Sequence, residues 1–258
     1  MKIFVLVKEV PDTYGDRKLN LETGLADRAA GDVVLDEITE RALEVALSYA
    51  DGNEGTEVVA LSMAPESSTA SVRRALAIGA HSAVHVVDEE LSGADLGLTA
   101  EVLAAAIRRA EPDLVITGNL STDGSGGMIP AMLAEHLGFA QATALSAVEI
   151  TADGITGTRT TDAGSQSVSA ALPAVISITE ALPDARFPNF KGIMAAKKKP
   201  LEVLALADLG VSADPGAAPR TIMTSVAEKP PRAAGIKITD EGDAGTRLVE
   251  FLVQNRLV

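Results

Sequence analysis

The chain has 258 residues, 47% hydrophobic and 22% charged, the composition of a globular protein long enough to bury a sizeable core. With 22 Lys and Arg against 36 Asp and Glu, its net charge of −14 argues against nucleic acid and against adhesion to an anionic membrane. The absence of Cys excludes disulfides and Cys-ligated zinc or iron–sulfur centres, and with aromatics at 3% the core must come from Ala, Val, Leu and Ile. No apolar run reaches the ~18 residues of a membrane span, and MKIFVLVKEV lacks the features of a signal peptide. A cytoplasmic location without membrane insertion is expected.

Lys2–Val7 is a nearly continuous apolar run, as in a strand buried on both faces of a parallel sheet, and Val10-Pro11-Asp12 ends it. Residues 16–34, with Lys18-Leu19-Asn20-Leu21 and Leu25-Ala26-Asp27-Arg28 on either side of Thr23-Gly24, suggest a small hairpin or ordered excursion. From Asp36 to Tyr49, the residues Ile38, Ala42, Val45, Ala46 and Tyr49 recur at helical spacing, with Asp36 as N-cap. The alternation repeats: strand 57–63, helix 67–78 ended by Gly79, strand 82–87, helix 98–110, strand 113–117 and helix 128–137. That rhythm implies right-handed crossovers and a parallel sheet. After residue 140 the segments 143–150, 155–160, 165–171 and 174–178 pattern as strands with no helices between them. Turns at Asp153-Gly154 and Ala163-Gly164 then predict an appended antiparallel section. Residues 209–233, with Pro215, Pro219, Pro230 and Pro231, form a linker or arm. A helix over 244–255 follows, with Leu248, Phe251 and Leu252 on one face. The expected fold is α/β: a parallel, doubly wound nucleotide-binding sheet over 1–207, then a Pro-rich linker and C-terminal helical arm over 208–258.

Ligands of open α/β sheets bind beyond the carboxyl ends of the strands. The loop after strand 113–117 is the richest such end: Gly118-Asn119-Leu120-Ser121-Thr122-Asp123-Gly124-Ser125-Gly126-Gly127-Met128-Ile129-Pro130. Glycines admit close backbone N–H groups, and a helix start adds positive partial charge, which suits a phosphate. The alternative is a flexible connector. No Walker A motif is present, and Lys8-Glu9-Val10-Pro11 follows the first strand where a dinucleotide fingerprint would stand. No catalytic triad, acid pair or metal cluster emerges, and His81 and His85 fit polar residues at a strand edge. The residues describe a nucleotide holder better than a catalyst. Elsewhere, Lys197-Lys198-Lys199 is a basic run in an acidic chain, either a solvated strand start or a steering patch. Before it, Arg186 to Met194 places Phe187 and Phe190 in a Pro- and Gly-containing loop. Such a loop suits a docking surface, although Phe187 is equally compatible with a core position.

The chain resembles the beta subunits of electron-transfer flavoproteins. The resemblance rests on Val5-Leu6-Val7-Lys8 with Val10-Pro11-Asp12-Thr13, Ala75-Leu76-Ala77-Ile78-Gly79-Ala80, Leu114 to Gly118 with Asp123, and Leu172-Pro173-Ala174-Val175. It continues through Arg186-Phe187-Pro188, Ile193-Met194-Ala195-Ala196-Lys197-Lys198-Lys199-Pro200 and Leu209-Gly210-Val211, spanning residues 2 to about 211. The Ile193 to Pro200 run is the most specific part.

That resemblance implies a heterodimer with an alpha subunit, which holds most of an FAD whose ring lies near the beta surface. It implies an AMP in this subunit, or a second FAD in electron-bifurcating members. Nucleotide contacts would fall on Leu6, Asp36, Ala60, Leu61, Ser62 and Met63, and on Gly118, Asn119, Ser121, Thr122, Asp123, Gly124, Ser125, Gly126, Gly127, Met128 and Ile129. Tyr14 and Ile38 would lie near the flavin ring. Arg186, Phe187, Phe190 and Ile193 would form the partner-recognition loop, with Phe190 its anchor. Asp36 stands where the family usually has Asn, and Met128-Ile129 where it has Gln-Thr, so AMP and FAD both stay open. The implied role is an electron carrier from acyl-CoA-type dehydrogenases to a membrane quinone oxidoreductase, with no catalytic residue or metal of its own. The alternatives are a bifurcating complex and a stand-alone nucleotide-binding sensor or hydrolase.

Overall fold

In β1 (Lys2–Leu6) successive side chains point to opposite faces, so Ile3 and Val5 enter one core cluster and Phe4 the other. The computed structural model describes residues 1–15, 17–214, 216 and 221–258; the readings made at residue 16, Pro215 and Pro219 lie outside them. The chain divides into a unit Met1–Thr224 and a unit Ser225–Val258.

The first unit is built on β4 (Glu57–Met63), β5 (Ser82–Val86), β6 (Leu114–Gly118), β7 (Ala140–Ile150), β8 (Gly154–Thr161), β9 (Gly164–Ala171), β10 (Ala174–Ile178) and β11 (Leu201–Leu204). With β1 they form a nine-stranded sheet in the order β11-β5-β4-β1-β6-β10-β7-β8-β9, in which only the β7–β8 and β8–β9 pairs are antiparallel. Helices α1 (Glu37–Gly52) and α2 (Thr69–Ile78) cover one face, burying Ala42, Leu43, Ala46, Val72, Ala75 and Leu76. Helices α3 (Leu96–Arg108) and α4 (Ile129–Leu137) cover the other through Val102, Leu103, Ala106, Ile107 and Leu133. Asp95 caps α3, accepting the Leu98 N–H at 2.8 Å, and Gly138 ends α4 in the left-handed region at φ 68°. The sheet is thus doubly wound, as expected.

The structure corrects several local expectations. Glu9–Pro11 is a strand, β2, pairing antiparallel with β3 (Val33–Leu35), so the first apolar run does not simply end at Val10. The excursion between them closes with a Leu19–Ala26 bridge. The segment 174–178 does not continue an antiparallel section. As β10 it lies between β6 and β7, parallel to both, because all its residues are buried and only a central position covers both faces. The 186–194 region is not all loop: α5 (Phe190–Ala196) starts there, with Asn189 accepting the Gly192 N–H at 2.8 Å. His85 sits on an interior strand, 1% exposed, its Nε2 at 3.1 Å from Ala64 O, rather than at a strand edge. The last helix of the unit is α6 (Leu206–Leu209). In the second unit, α7 (Ala244–Gln254) is the expected helix, with Leu248 and Phe251 exposed.

Candidate nucleotide site and docking segment

β1 and β6 are neighbours, yet the chain leaves β1 toward β4 and β5 on one side and returns to β6 on the other. The carboxyl ends of these strands therefore flank the topological switch point, where an open α/β sheet has its crevice. Leu6 at the end of β1, Met63 at the end of β4 and the loop from Gly118 to α4 all lie at this end of the sheet.

Charged side chains pin the loop. Lys8 Nζ donates to Asp123 Oδ1 at 2.6 Å and to Ser121 Oγ at 3.2 Å, and Arg28 Nη2 lies 3.3 Å from Asp123 Oδ2. The Gly124 N–H also donates to Asp123 Oδ1, at 2.6 Å, and Arg17 donates to the Thr122 carbonyl. Burial alone would raise the Asp123 pKa; the Lys8 hydrogen bond and charge outweigh it, with Ser121 and Gly124 assisting, and hold it at about 2. Just before α1, Asp36 accepts the Thr122 N–H at 2.9 Å. Asp36 occupies the N-cap position, but its side chain makes no capping bond, so it ties the helix to the loop instead of capping it. It is 1% exposed, its Oδ1 has no partner among the described residues, and burial raises its pKa.

Gly118 is where α1 meets the loop. A Cβ there would lie 2.7 Å from Ile38 Cγ2, so the approach requires glycine. Ile38 is accordingly core, 8% exposed, whereas Tyr14 stands 99% exposed on the rim of a cleft of about 550 Å³ that also reaches Val10, Val34, Asp36, Arg74 and Thr122. The structure thus gathers Tyr14, Asp36 and Thr122 at one cleft and keeps the Ile38 side chain beneath it. Ala60 and Leu61 are fully buried, one in each core cluster, and Ser62 is buried. Of the residues singled out on β4, Met63 is the one that is half-buried at the strand end. Asn119 and Ser121 are half-buried, and Gly124, Ser125, Gly126, Gly127 and Met128 are exposed before half-buried Ile129 opens α4.

The residues expected to dock a partner lie apart from this loop, on the α1 and α2 side. Phe187 and Phe190 are 90% and 79% exposed, which removes the core reading of Phe187, and Ile193 is exposed too. The basic run splits by role. Lys197 and Lys198 are exposed, but Lys199 Nζ donates to the carbonyls of Leu76 at 2.9 Å, Gly79 at 3.1 Å and Ala80 at 2.6 Å, closing the C-terminal end of α2. Burial lowers its pKa.

Sequence reasoning missed Lys8 and Arg28. Lys8 could have been found, because a cation immediately after a buried strand faces the ligand end of the sheet. Arg28 could not, since the excursion that carries it gives no register. Among the described residues, no three His, Asp or Glu are grouped as a metal would need, and no helix is long and apolar enough to cross a membrane.

An open, doubly wound sheet with a glycine-containing loop at its switch point places the chain in the class of α/β folds that bind a ligand in the crevice beyond the carboxyl ends of their strands. The electron transfer flavoprotein domain model matches residues 23–209. The electron transfer flavoprotein subunit beta of Mycobacterium tuberculosis (strain ATCC 25618 / H37Rv) is 47% identical over 99% of both chains. That of Syntrophomonas wolfei is 32% identical, over 98% of this chain and 96% of the relative. The caffeyl-CoA reductase-Etf complex subunit CarD of Acetobacterium woodii is 31% identical over 82% and 81%. The chain belongs to the electron transfer flavoprotein family, among its beta subunits, and serves electron transfer as a carrier subunit of a flavin-binding complex.

Proposed function

We propose that this chain pairs with an alpha subunit that holds most of an interfacial FAD. The heterodimer would carry electrons in the cytoplasm from flavin dehydrogenases of the acyl-CoA type to a membrane quinone oxidoreductase. The observation that carries this reading is the full-length similarity to beta subunits combined with a loop pinned at the switch point of the sheet. The FAD, when bound, supplies the electron-accepting and electron-donating chemistry. This chain's residues bind, orient and dock. Tyr14, exposed at the cleft rim, would face the flavin, and Ile38 would act from beneath by holding α1 against Gly118. Phe190, with Phe187 and Ile193, anchors the donor protein. Residues 208–258 serve as an arm for the alpha subunit.

The loop from Gly118 to Ile129 would hold an AMP, with Leu6 and Met63 bounding it. The residues fit that ligand in one specific respect. The unpartnered, buried Asp36 Oδ1 lacks a donor, and an adenine amine or ribose hydroxyl provides one. Gly126 and Gly127, exposed before α4, offer backbone N–H groups to a phosphate.

A second reading, bifurcation with an FAD in this site, is favoured by Ile129, which has no hydroxyl to give a phosphate, by Asp123-Gly124, and by the similarity to a subunit of a caffeyl-CoA reductase complex. The test is to purify the heterodimer and count nucleotides. One flavin and one AMP per heterodimer supports the carrier, and two flavins the bifurcating form. A colourless complex overturns both.

A further inference from the structure

The segment from Leu182 to Lys199 is held at both ends and bare in the middle. At its start, Arg41 of α1 donates to the Leu182 carbonyl and pairs with Asp184. At its end, Arg73 of α2 donates to the Ala196 carbonyl at 2.9 Å, and Lys199 closes α2. A Cβ at Gly192 would meet the Ala77 carbonyl at 2.5 Å, so α5 lies against α2 as closely as backbone allows. Between these fastenings Phe187 and Phe190 face solvent.

Arg186 occupies the point where the segment leaves α1 for this exposed stretch. Its Nε and backbone N–H both donate to Glu44 Oε2, at 2.8 and 3.0 Å, and its Nη2 donates to Glu44 Oε1 at 2.8 Å and to Asp51 Oδ2 at 2.8 Å. Ser48 holds the same Glu44 oxygen Oε1 at 3.0 Å. Glu44 is largely buried, its side chain 15% exposed. A fork of this kind fixes direction as well as distance, because guanidinium and carboxylate meet in one plane. The backbone N–H bond to the same carboxylate extends that constraint to the main chain immediately before Phe187.

We infer that Arg186 is a positioning residue for partner docking: its fork on Glu44 and Asp51 sets the pose in which Phe187 and Phe190 meet the donor flavoprotein. This rests on the reading of residues 186–193 as the partner-recognition segment. A preorganised segment loses less entropy on docking, so disturbing the fork weakens encounter complexes without altering electron transfer once docked.

The experiment uses the flavin-loaded heterodimer and the acyl-CoA dehydrogenase that reduces the wild type. Arg186→Lys keeps the charge but loses the fork, and Glu44→Gln keeps the shape but loses the charge. Each is expected to raise KM for the heterodimer about 5-fold, with kcat within about twofold, and flavin content and melting temperature held. Asp51→Asn, touching only the outer Nη2 contact, should do less. In a Phe190→Ala background, where the anchor is gone, Arg186→Lys should add nothing further. If Phe190→Ala raises KM but Arg186→Lys and Glu44→Gln do not, the positioning role is overturned and the recognition segment stands. If Phe190→Ala leaves KM unchanged, the recognition reading falls, and the positioning role with it. If Arg186→Lys and Glu44→Gln lose flavin and melting temperature together with kcat, the fork is structural only and the inference is overturned.

Discussion

The carboxylate of Asp36, at the start of α1, accepts the backbone N–H of Thr122 at 2.9 Å, joining the first helix of the fold to the loop after β6 across 86 residues of sequence. One oxygen does this work and the other has no partner among the described residues. Burial outweighs the backbone contacts to Thr122 and Ile38 that favour its charged form, so the group carries the cost of a buried charge.

Asp36→Asn should therefore stabilise the protein. An amide oxygen still accepts from Thr122, and no buried charge remains. Burial raises the Asp36 pKa in the folded state, so the ionised form costs stability above that pKa, and the cost is relieved as pH falls. The melting temperature at pH 7 should rise by about 2–4 °C for each kcal/mol gained, and the advantage over wild type should shrink toward pH 4. Asp36→Ala should instead lose about 1–3 kcal/mol, because the Thr122 N–H is stranded. Thermal melts of the three proteins across pH check both signs; a lower melting temperature for Asp36→Asn at pH 7 would refute the argument.

Asp123 behaves in the opposite sense. Its folded-state pKa is held near 2, below the ordinary 3.8, chiefly because Lys8 outweighs the effect of burial. The stability it contributes is present above about pH 4 and lost as pH falls toward 2. Lys8 and Arg28 are about two-fifths exposed, at 42% and 39%, which screens the interaction. Asp123→Asn should cost roughly 1–2 kcal/mol at pH 7 and almost nothing near pH 2. Urea unfolding at the two ends of that range measures the difference, and an equal loss at both would show that the carboxylate's charge is not what holds the loop.

Much of the fold was legible because buried parallel strands and amphipathic helices carry strong periodic signals. Val58–Leu61 and Leu114–Ile116 are apolar without a break, and each sits where such a run is stable, with a helix layer on both faces. The position of β10 was not legible. Ala174–Ile178 follows a hairpin in sequence, and nothing local says that it crosses back to lie between β6 and β7. The glycine-containing loop could be placed from its composition and its place after a strand. Its fastening by Lys8 and Arg28 depends on contacts over 115 and 95 residues, which one sequence does not display. Lys199 could not be told from Lys197 and Lys198 for a related reason: three identical side chains in a row differ only in which one faces the end of α2.

That distinction is testable. Lys199→Met removes a cation that satisfies three carbonyls at the end of α2 and should destabilise the protein by about 2–3 kcal/mol. Lys197→Ala and Lys198→Ala, at exposed positions, should stay within about 0.5 kcal/mol of wild type. Denaturant titration of the single variants decides it; equal losses at all three positions would contradict the assignment.

The packing of residues 209–224 sets where the C-terminal segment can be cut. Leu209, Val211 and Ala213 pack against the core cluster under α3, and the Thr221 N–H donates to Asp95 Oδ2 at 2.6 Å, so the first unit extends to Thr224. In the second unit α7 presents Leu248, Phe251 and Leu252 on one side, with Arg247, Glu250 and Gln254 opposite, a pattern that calls for an apolar surface to cover it. Removal of residues 225–258 should leave the melting temperature of the isolated chain unchanged while loosening its assembly with the alpha subunit. Removal of residues 208–258 should do both kinds of damage, because it strips packed side chains from α3 as well. Analytical ultracentrifugation with the alpha subunit and thermal melts of the isolated chain separate these effects. Heterodimer assembly undiminished by the shorter deletion would show that α7 is not the arm's point of attachment.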